Sequence, residues 1–170
     1  MKIIFVDGYN VINYWPELKQ IKEYSFESAR NKLIEILNNY ATFKGYKLYL
    51  IFDAHLVKGS LEKRERVGEK LSVIFTREGE TADAFIEKTV DEIGRKVEVS
   101  VVTSDSLEQQ VIFQRGAVRV SCIEFYYEVK DTEKKIKGKI EKKYTHNKHT
   151  LEEVVDKEVL EKLEKIRRSR

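Results

Sequence analysis

Cysteine, proline and long apolar runs are all scarce in this sequence. One cysteine, Cys122, and one proline, Pro16, occur among the 170 residues. A single cysteine cannot close an intrachain disulfide and is typical of a reducing cytoplasm. Only the apolar run 3–6 precedes Asp7, which is too short for a signal-peptide core. No run approaches the roughly 18 apolar residues of a membrane span. We therefore expect a soluble, cytoplasmic protein without a membrane partner.

Motifs of several common enzyme classes are also absent. His55, His146 and His149 have no metal-ligand spacing with Cys122, which disfavours a zinc site. There is no Walker phosphate loop, no G-x-G-x-x-G and no G-x-S-x-G motif. These absences disfavour NTPases, dinucleotide-dependent enzymes and α/β-hydrolases.

Apolar and charged residues, by contrast, are plentiful. Hydrophobic residues make up 41%, enough for a core, and charged residues 36%, against roughly 25% in an average soluble protein. Basic residues are concentrated at the end of the chain, where 130–170 carries 14 basic and 9 acidic residues. No Ser/Gly-rich linker and no internal repeat interrupts the chain. We therefore expect one domain over 1–170, with an α/β core over about 1–120 and a basic helical extension over about 121–170.

Short apolar runs alternate with segments of helical periodicity. The five runs predicted as strands are 3–6, 48–52, 71–75, 97–102 and 117–120. Their continuous hydrophobicity is typical of parallel strands covered on both faces. The predicted helices are a stripe from Phe26 to Tyr40, with Ser25 as its N-cap and Gly45 just beyond its end, a second over 82–93, and a short third over 106–114. The alternation predicts a doubly wound α/β fold with a mainly parallel sheet of about five strands.

The last quarter of the chain has the pattern of helices alone. Ser121 and Glu124 fit a capping box that opens a long helix. A second helix is predicted to start after Thr150, where Glu153 completes a similar box. We expect both helices to be appended to the α/β core.

Acidic residues follow the predicted strands. Asp7 and Asp53 come directly after the first two strands, Glu80 and Asp83 follow the third, and Asp105 follows the fourth. The carboxyl ends of parallel strands meet at one edge of a sheet, where ligands bind. Clustered carboxylates repel one another unless a cation neutralises them, and oxygen ligands suit Mg²⁺ or Mn²⁺. The pattern indicates metal-assisted phosphodiester chemistry.

A structural explanation stands beside the catalytic one. Aspartate is common at strand ends because it caps the next helix or forms an Asx-turn. Asp53 is followed by ordinary loop residues, and Asp83 falls in a first helical turn, where the helix dipole favours a carboxylate. Asp7 is expected in a tight polar loop with Gly8 and Asn10. Independent capping roles for all four aspartates at one edge of the sheet are a weaker explanation than one shared site.

The tetrapeptide Asp-Gly-Tyr-Asn at 7–10 resembles the YacP-like branch of the NYN ribonuclease family, which is related to PIN-domain nucleases. Further blocks in family order lie at 52–59, 80–83, 103–105 and 114–117. Together with the basic C-terminal helix, they cover nearly the whole chain. The resemblance implies a PIN-like three-layer α/β/α fold and divalent-metal-dependent endoribonuclease activity. It also makes cleavage of messenger RNA on the ribosome the favoured setting.

The resemblance also implies residue roles. The residues that match the family's catalytic, metal-binding acids are Asp7, Asp83 and Asp105. Asn10 and Ser104 would orient phosphate or water, and Glu80 and Asp53 would be outer metal-site members. The helix acid that PIN nucleases carry between their second and third strands has no clear match, so one and two metal ions both stay open. Hydrolysis would leave a 5′-phosphate and a 3′-hydroxyl.

Two cationic segments could bind RNA, because phosphate neutralisation supplies most sequence-independent affinity. The first is a predicted long loop whose candidate contacts are Lys58, Lys63, Arg64 and Arg66, and the second is a helix face with Lys134, Lys135, Lys142 and Lys143. Either could instead be a solvated surface with internal ion pairs. Tyr9, Tyr14 and Trp15 could stack a base, as aromatic residues do with single-stranded RNA, or pack beneath the first loop.

The sequence thus predicts a metal-dependent endoribonuclease that cleaves single-stranded RNA, with Mg²⁺ or Mn²⁺ as cofactor and the ribosome as a partner. The alternative is a non-catalytic RNA- or ribosome-binding module with a vestigial acidic site. A receiver-like or phosphatase-like α/β domain is disfavoured. The paired acids of a receiver are missing beside the first strand, and Asp7 is followed by Gly8 rather than by the Asp-x-Asp pattern of a phosphatase.

Overall fold

A computed structural model describes residues 1–55, 58–104, 116–154 and 157–168. The elements in chain order are β1 (Lys2–Asp7), α1 (Gly8–Tyr14), α2 (Pro16–Tyr24), α3 (Phe26–Lys44), β2 (Lys47–Phe52), β3 (Lys63–Val67), β4 (Leu71–Phe75), α4 (Ala82–Ile93), a 3₁₀ turn (Gly94–Lys96), β5 (Glu98–Val102), β6 (Val118–Val120), α5 (Cys122–Val154) and α6 (Lys157–Arg168). All five predicted strands are present. The predicted helix over 106–114 lies outside the described residues.

The sheet has six strands in the order β3-β4-β2-β1-β5-β6. Every neighbouring pair is parallel except β3 with β4. The prediction of about five strands omitted β3, which lies in the segment expected to be a loop. Its sequence, Lys-Arg-Glu-Arg-Val, is charged and exposed because it forms the sheet edge and covers little of the core. The mainly parallel α/β prediction is confirmed.

Both faces of the sheet carry a hydrophobic core, which makes the fold three-layered. On one face, Val6 and Leu50 pack with Leu33 of α3 and Phe125 of α5. On the other face, the alternate strand residues Phe5, Ile51 and Val101 pack against α4. Two-sided burial explains the unbroken apolar runs of the central strands.

Capping residues fix the helix ends much as predicted. The Ser25 hydroxyl accepts the Ser28 N–H at 3.1 Å, and Gly45 ends α3 in the left-handed conformation with φ +71°. At α5, the Ser121 hydroxyl accepts the Glu124 N–H at 3.2 Å, while Glu124 accepts the Ser121 N–H at 2.8 Å. This reciprocal pair is the predicted capping box.

The tight polar loop expected after β1 was wrong. Helix α1 begins at Gly8, with Asp7 as its N-cap, and α2 begins at Pro16. Proline suits the first turn of a helix because the missing N–H has no partner there. Gly8 is required for packing, since a Cβ atom there would lie 2.7 Å from Cδ1 of Phe52.

Two compact units divide the chain, Met1–Thr132 and Glu133–Arg170, and α5 contributes to both. Helix α5 begins beside the predicted start of the C-terminal extension. It continues through Thr150, so the second helix begins at Lys157 and not directly after Thr150. The capping-box pattern of Thr150 and Glu153 does not start a new helix, because no glycine or proline within 139–150 stops the preceding one.

Within the described ranges, no helix combines the length and apolar character needed to cross a membrane.

Candidate active site

Asp7 occupies the end of the central strand β1. The strand order reverses there, because β2 lies on one side of β1 and β5 on the other. In open α/β sheets, ligands bind outside the carboxyl ends of the strands at such a switch point. The side chain of Asp7 is only 6% exposed. The fold therefore places a carboxylate at the position where a binding crevice is expected.

Asn10 holds the Asp7 carboxylate in place. Its backbone N–H donates to Oδ1 at 3.2 Å, and its side-chain Nδ2 donates to Oδ2 at 2.8 Å. The same Nδ2 lies 3.4 Å from Oγ1 of Thr103, a fully buried residue that follows β5. Asn10 therefore bridges the ends of β1 and β5 and sets the direction of the Asp7 side chain.

The electrostatic environment of Asp7 opposes its ionisation. Burial raises its pKa above the ordinary value of 3.8, and the negative charges of Asp83 and Asp53 raise it further. The two hydrogen bonds from Asn10 lower it but do not reverse the shift. A cation bound near this carboxylate would stabilise its charged form.

Asp53 is held by hydrogen bonds of its own. Its Oδ1 accepts the His55 N–H at 2.9 Å and contacts the His55 ring, and its Oδ2 accepts the Ala82 N–H at 3.3 Å. Burial alone would raise the pKa of Asp53, but these bonds outweigh it and lower the pKa. Asp53 therefore joins the end of β2 to the start of α4, in agreement with the structural explanation for this residue.

Asp83 lies in the first turn of α4, as predicted, and is half-buried. The Thr81 hydroxyl caps this helix by accepting the Ala84 N–H at 3.2 Å. The Glu80 carboxylate lies 3.5 Å from the Arg77 guanidinium, and its side chain is only 11% exposed. Glu80 thus has a positive partner from its own loop, whereas Asp83 contributes negative charge near Asp7.

The two remaining candidates follow β5. The Ser104 hydroxyl accepts the N–H of Cys122 at 3.4 Å, so it contacts the first turn of α5. Its predicted role with phosphate or water stays a prediction. Asp105 lies outside the described residues, so its role in metal binding stays a prediction.

The described part of the site fits a hard divalent cation through few protein ligands. Asp7 and Asp83 supply carboxylate oxygens, but no three His, Cys, Asp or Glu side chains in the described ranges are grouped as a complete metal site. Mg²⁺ commonly uses one or two carboxylates and keeps several waters. Asp7 and Asp83 therefore suit such an ion, with Asp105 as the further candidate.

The cations of the first predicted segment divide between a loop and an edge strand. Lys58 lies in the loop before β3, whereas Lys63, Arg64 and Arg66 belong to β3. Lys63 pairs with Phe75 at the carboxyl end of β4. At about 3.4 Å per residue, Arg66 lies roughly 10 Å further along the strand. These cations therefore extend along the edge strand from the end where the acids lie.

Ion pairing distinguishes these cations. Lys63 contacts Glu65, and the Arg64 Nε lies 2.5 Å from Glu62, so both have acidic neighbours. Lys58 and Arg66 are exposed and form no ion pair with any residue that the structure describes. Lys58 and Arg66 are thus the stronger candidates for phosphate contact.

The second cationic segment lies on α5. Lys134, Lys135, Lys142 and Lys143 are all exposed. Of these, Lys134, Lys142 and Lys143 form no ion pair within the described ranges. This exposed positive face is available to a polyanion.

The structure separates the aromatic candidates that the sequence left together. Trp15 is 2% exposed, and its Nε1–H donates to the Cys122 carbonyl at 2.9 Å. Tyr9 packs edge-on against Phe26 and Phe52, with both centroid distances 5.2 Å. Tyr14 is 47% exposed. Packing explains Trp15 and Tyr9.

Phe26 was misassigned by the sequence pattern. Its helical spacing placed it on the apolar stripe of α3, yet it is 40% exposed. As the first residue of α3, it lies at the end of that stripe, where it contacts Tyr9 edge-on and remains partly exposed to solvent. The signal that could have identified it is its position directly after the N-cap Ser25, at the end of the stripe.

Comparison with known proteins identifies the family to which the sequence is similar. The sequence model described as "YacP-like NYN domain" matches residues 4–168. A protein of Bacillus subtilis (strain 168) described as "Uncharacterized protein YacP" is 43% identical over 169 residues, which cover 99% of this chain and 98% of that protein.

Solved structures give the same relationship. The crystal structure of Rae1 (YacP) from Bacillus subtilis is similar with a TM-score of 0.74 and 41% identity, over 99% of this chain and 95% of that one. A mutant of Rae1 (YacP) matches with a TM-score of 0.73 and 38% identity, over 85% of each chain. The PIN-like NYN fold is thereby confirmed.

Proposed function

This chain belongs to the YacP-like NYN domain family, and from that premise we propose that it is a cytoplasmic, metal-dependent endoribonuclease acting on single-stranded RNA. Membership of the family favours a nuclease-type, RNA-related function. The observation that carries the proposal is the buried Asp7 carboxylate at the sheet's switch point, directed by Asn10 and close enough to Asp83 and Asp53 for their charges to raise its pKa.

The division of labour among the residues follows from their contacts. Asp7 and Asp83 would hold the metal ion, with Asp105 as a third ligand. When bound, Mg²⁺ or Mn²⁺ neutralises charge on the scissile phosphate and lowers the pKa of water. Asn10 fixes the Asp7 carboxylate through Nδ2, and Asp53 fixes the start of α4, the helix that carries Asp83. Asn10 and Asp53 therefore act as positioning residues in this mechanism.

The proposal includes messenger RNA on the ribosome as the substrate. The exposed lysines of α5 support a polyanionic partner, since lysines that neutralise phosphates supply affinity for any nucleic-acid sequence. Ribosomal RNA and messenger RNA both offer such a surface. A requirement for the ribosome is tested by comparing cleavage of the same messenger RNA alone and in a ribosomal complex.

The direct test is cleavage of end-labelled single-stranded RNA in EDTA, Mg²⁺ and Mn²⁺, alone and with ribosomes. Asp7→Asn and Asp83→Asn should abolish cleavage, because each removes a ligand charge with little change in shape. Asp91→Asn is the matched control, since it makes the same change on the exposed part of α4. Asp53→Asn should have a smaller effect.

Three results would contradict the proposal. Full activity of both Asp7→Asn and Asp83→Asn would remove the metal assignment. RNA or ribosome binding without cleavage under every metal condition would favour the non-catalytic module. Equal losses for Asp53→Asn and Asp83→Asn would show that Asp53 holds the metal and does not merely position α4.

A further inference from the structure

An aromatic row runs beside the candidate active site, on the face of the sheet that carries α3. Phe26 packs on Tyr9, Tyr9 packs on Phe52, and Phe52 stacks on Phe75 with ring centroids 5.4 Å apart. Tyr9 comes two residues after Asp7, and Phe52 directly precedes Asp53. The row therefore follows the same carboxyl edge of the sheet as the acids.

The two ends of this row carry positive charge. The Lys22 ammonium lies 5.8 Å from the centroid of Phe26, and the Arg30 guanidinium lies 5.8 Å from the centroid of Phe75. Within the described ranges, neither cation has a carboxylate partner. Lys22 donates instead to the neutral Oδ1 of Asn13 at 2.6 Å. Both positive charges are thus available to phosphate.

Burial distinguishes the members of the row. Phe52 is fully buried, and Tyr9 and Phe75 are partly buried, so these rings form a packed floor. Phe26 is 40% exposed and reaches solvent from the first turn of α3. Arg30 follows it by four residues, which places both on one face of the helix. An exposed ring supported by packed rings and flanked by cations suits a nucleotide.

We propose that Phe26 stacks a base of single-stranded RNA, while Lys22 and Arg30 contact the neighbouring phosphates. The inference rests on the proposed function, which supplies RNA as the ligand, and adds a subsite that holds the strand beside the scissile position. A cation–π contact at an exposed site is weak, so Lys22 can exchange its contact with the Phe26 ring for a phosphate. Stacking accepts any base, so this subsite would position RNA without selecting sequence.

Binding of a short single-stranded RNA in EDTA tests the subsite without cleavage. The probe carries one fluorescent 2-aminopurine, whose emission is quenched when the base stacks. Phe26→Ala should weaken binding by about 5- to 150-fold, the range for loss of one base–aromatic stack, and should relieve the quenching. Phe26→Trp should retain both properties. Tyr127→Ala, at a 67% exposed tyrosine of α5, is the control for loss of an exposed ring.

A scan with a single abasic nucleotide locates the contact. In the wild type, one position of the RNA should lose affinity when its base is removed. That penalty should disappear in Phe26→Ala, because two changes that remove one contact are not additive. Equal penalties in the wild type and in Phe26→Ala at every RNA position would overturn the inference.

Salt dependence tests the cations. The double substitution Lys22→Gln and Arg30→Gln should flatten the slope of log K against log salt by about 1.4, at roughly 0.7 per contact with a single strand. Lys47→Gln is the control, because its ammonium also lies over a ring, 5.7 Å from the Tyr49 centroid, but at the opposite end of β2. An unchanged slope would overturn the phosphate contacts.

Two outcomes separate this inference from the proposed function. Quenching and abasic coupling at Phe26 without cleavage in any metal would support the subsite and contradict the nuclease. Cleavage that depends on Asp7, together with RNA binding that Phe26→Ala leaves unchanged, would support the nuclease and contradict the subsite. A change in self-association of Phe26→Ala, with RNA binding intact, would assign the ring to a protein contact and overturn the inference.

Discussion

Removal of the Asn10 amide should destabilise the protein by an amount that depends on pH. Asn10→Ala deletes the Nδ2 donor that lies 2.8 Å from Asp7 Oδ2 and leaves the backbone donor in place. A hydrogen bond to a charged group contributes about 1.5–3 kcal/mol. For a chain of this size, a loss of about 2 kcal/mol lowers the melting temperature by roughly 4–8 °C.

The pH dependence follows from the raised pKa of Asp7. Burial makes the folded protein hold the Asp7 proton more tightly than the unfolded chain, so ionisation of Asp7 costs stability as pH rises. The Asn10 amide opposes this cost because it lowers the pKa. Without it, the pKa rises further. The difference in stability between Asn10→Ala and the wild type should be small below the ordinary Asp value of 3.8 and complete above the folded-state pKa of the variant.

Urea unfolding in EDTA across a pH series measures this difference. Asn13→Ala is the matched control, since it makes the same change on the exposed side of the same helix, away from the acids. Asn13→Ala loses an exposed contact with Lys22, whereas Asn10→Ala loses the contacts with Asp7 and Thr103, so the pH-dependent part of the difference reports on Asp7. Equal stability losses for Asn10→Ala and Asn13→Ala, or a loss for Asn10→Ala that does not vary with pH, would refute the reasoning.

Three further predictions concern packing, capping and docking. Gly8→Ala should cost about 1–3 kcal/mol in urea unfolding because its Cβ would overlap the ring of Phe52, and an unchanged midpoint would contradict that close approach. Ser121→Ala should cost about 1 kcal/mol by removing the cap of α5, whereas Ser121→Asp should retain most of it. Four exposed lysines of α5 should be replaced together by Gln, namely Lys134, Lys135, Lys142 and Lys143. The slope of log K against log salt for RNA or ribosome binding should then flatten by up to about 3, at roughly 0.7 per contact. An unchanged slope would show that these lysines form only a solvated surface.

Four of the five strands that the sequence predicted, β1, β2, β4 and β5, are largely buried, whereas the fifth, β6, is a short and mostly exposed edge strand. Residues 48–52 and 71–75 are continuous apolar runs because α3 and α4 cover the sheet from both sides. Strand β3 has the opposite character, since its main-chain bonds to β4 form at an edge that demands no apolar side chains. Local apolar patterning therefore identifies covered strands and an edge strand with valines, such as β6, but it does not detect a charged edge strand such as β3.

The positions of the acids were predictable, but their environments were not. The ends of parallel strands bring Asp7 and Asp53 to one edge, which requires only the strand assignments. Their opposite pKa shifts arise from contacts that follow the tertiary fold, such as the Ala82 N–H on Asp53. The 40% exposure of Phe26 likewise depends on which elements pack around it, a tertiary property that helical periodicity does not encode.

Capping by Asp7 and a role in metal binding are compatible, and the choice of residue favours both. A serine or asparagine would cap α1 without burying a charge. Aspartate at this position is buried and has like charges nearby, so its pKa is raised in spite of two hydrogen bonds. Each carboxylate oxygen has two lone pairs, and the bonds from Asn10 use one on each. A bound cation would accept the remaining lone pairs and would stabilise the buried negative charge of Asp7. A helix cap alone requires neither free lone pairs nor a buried charge.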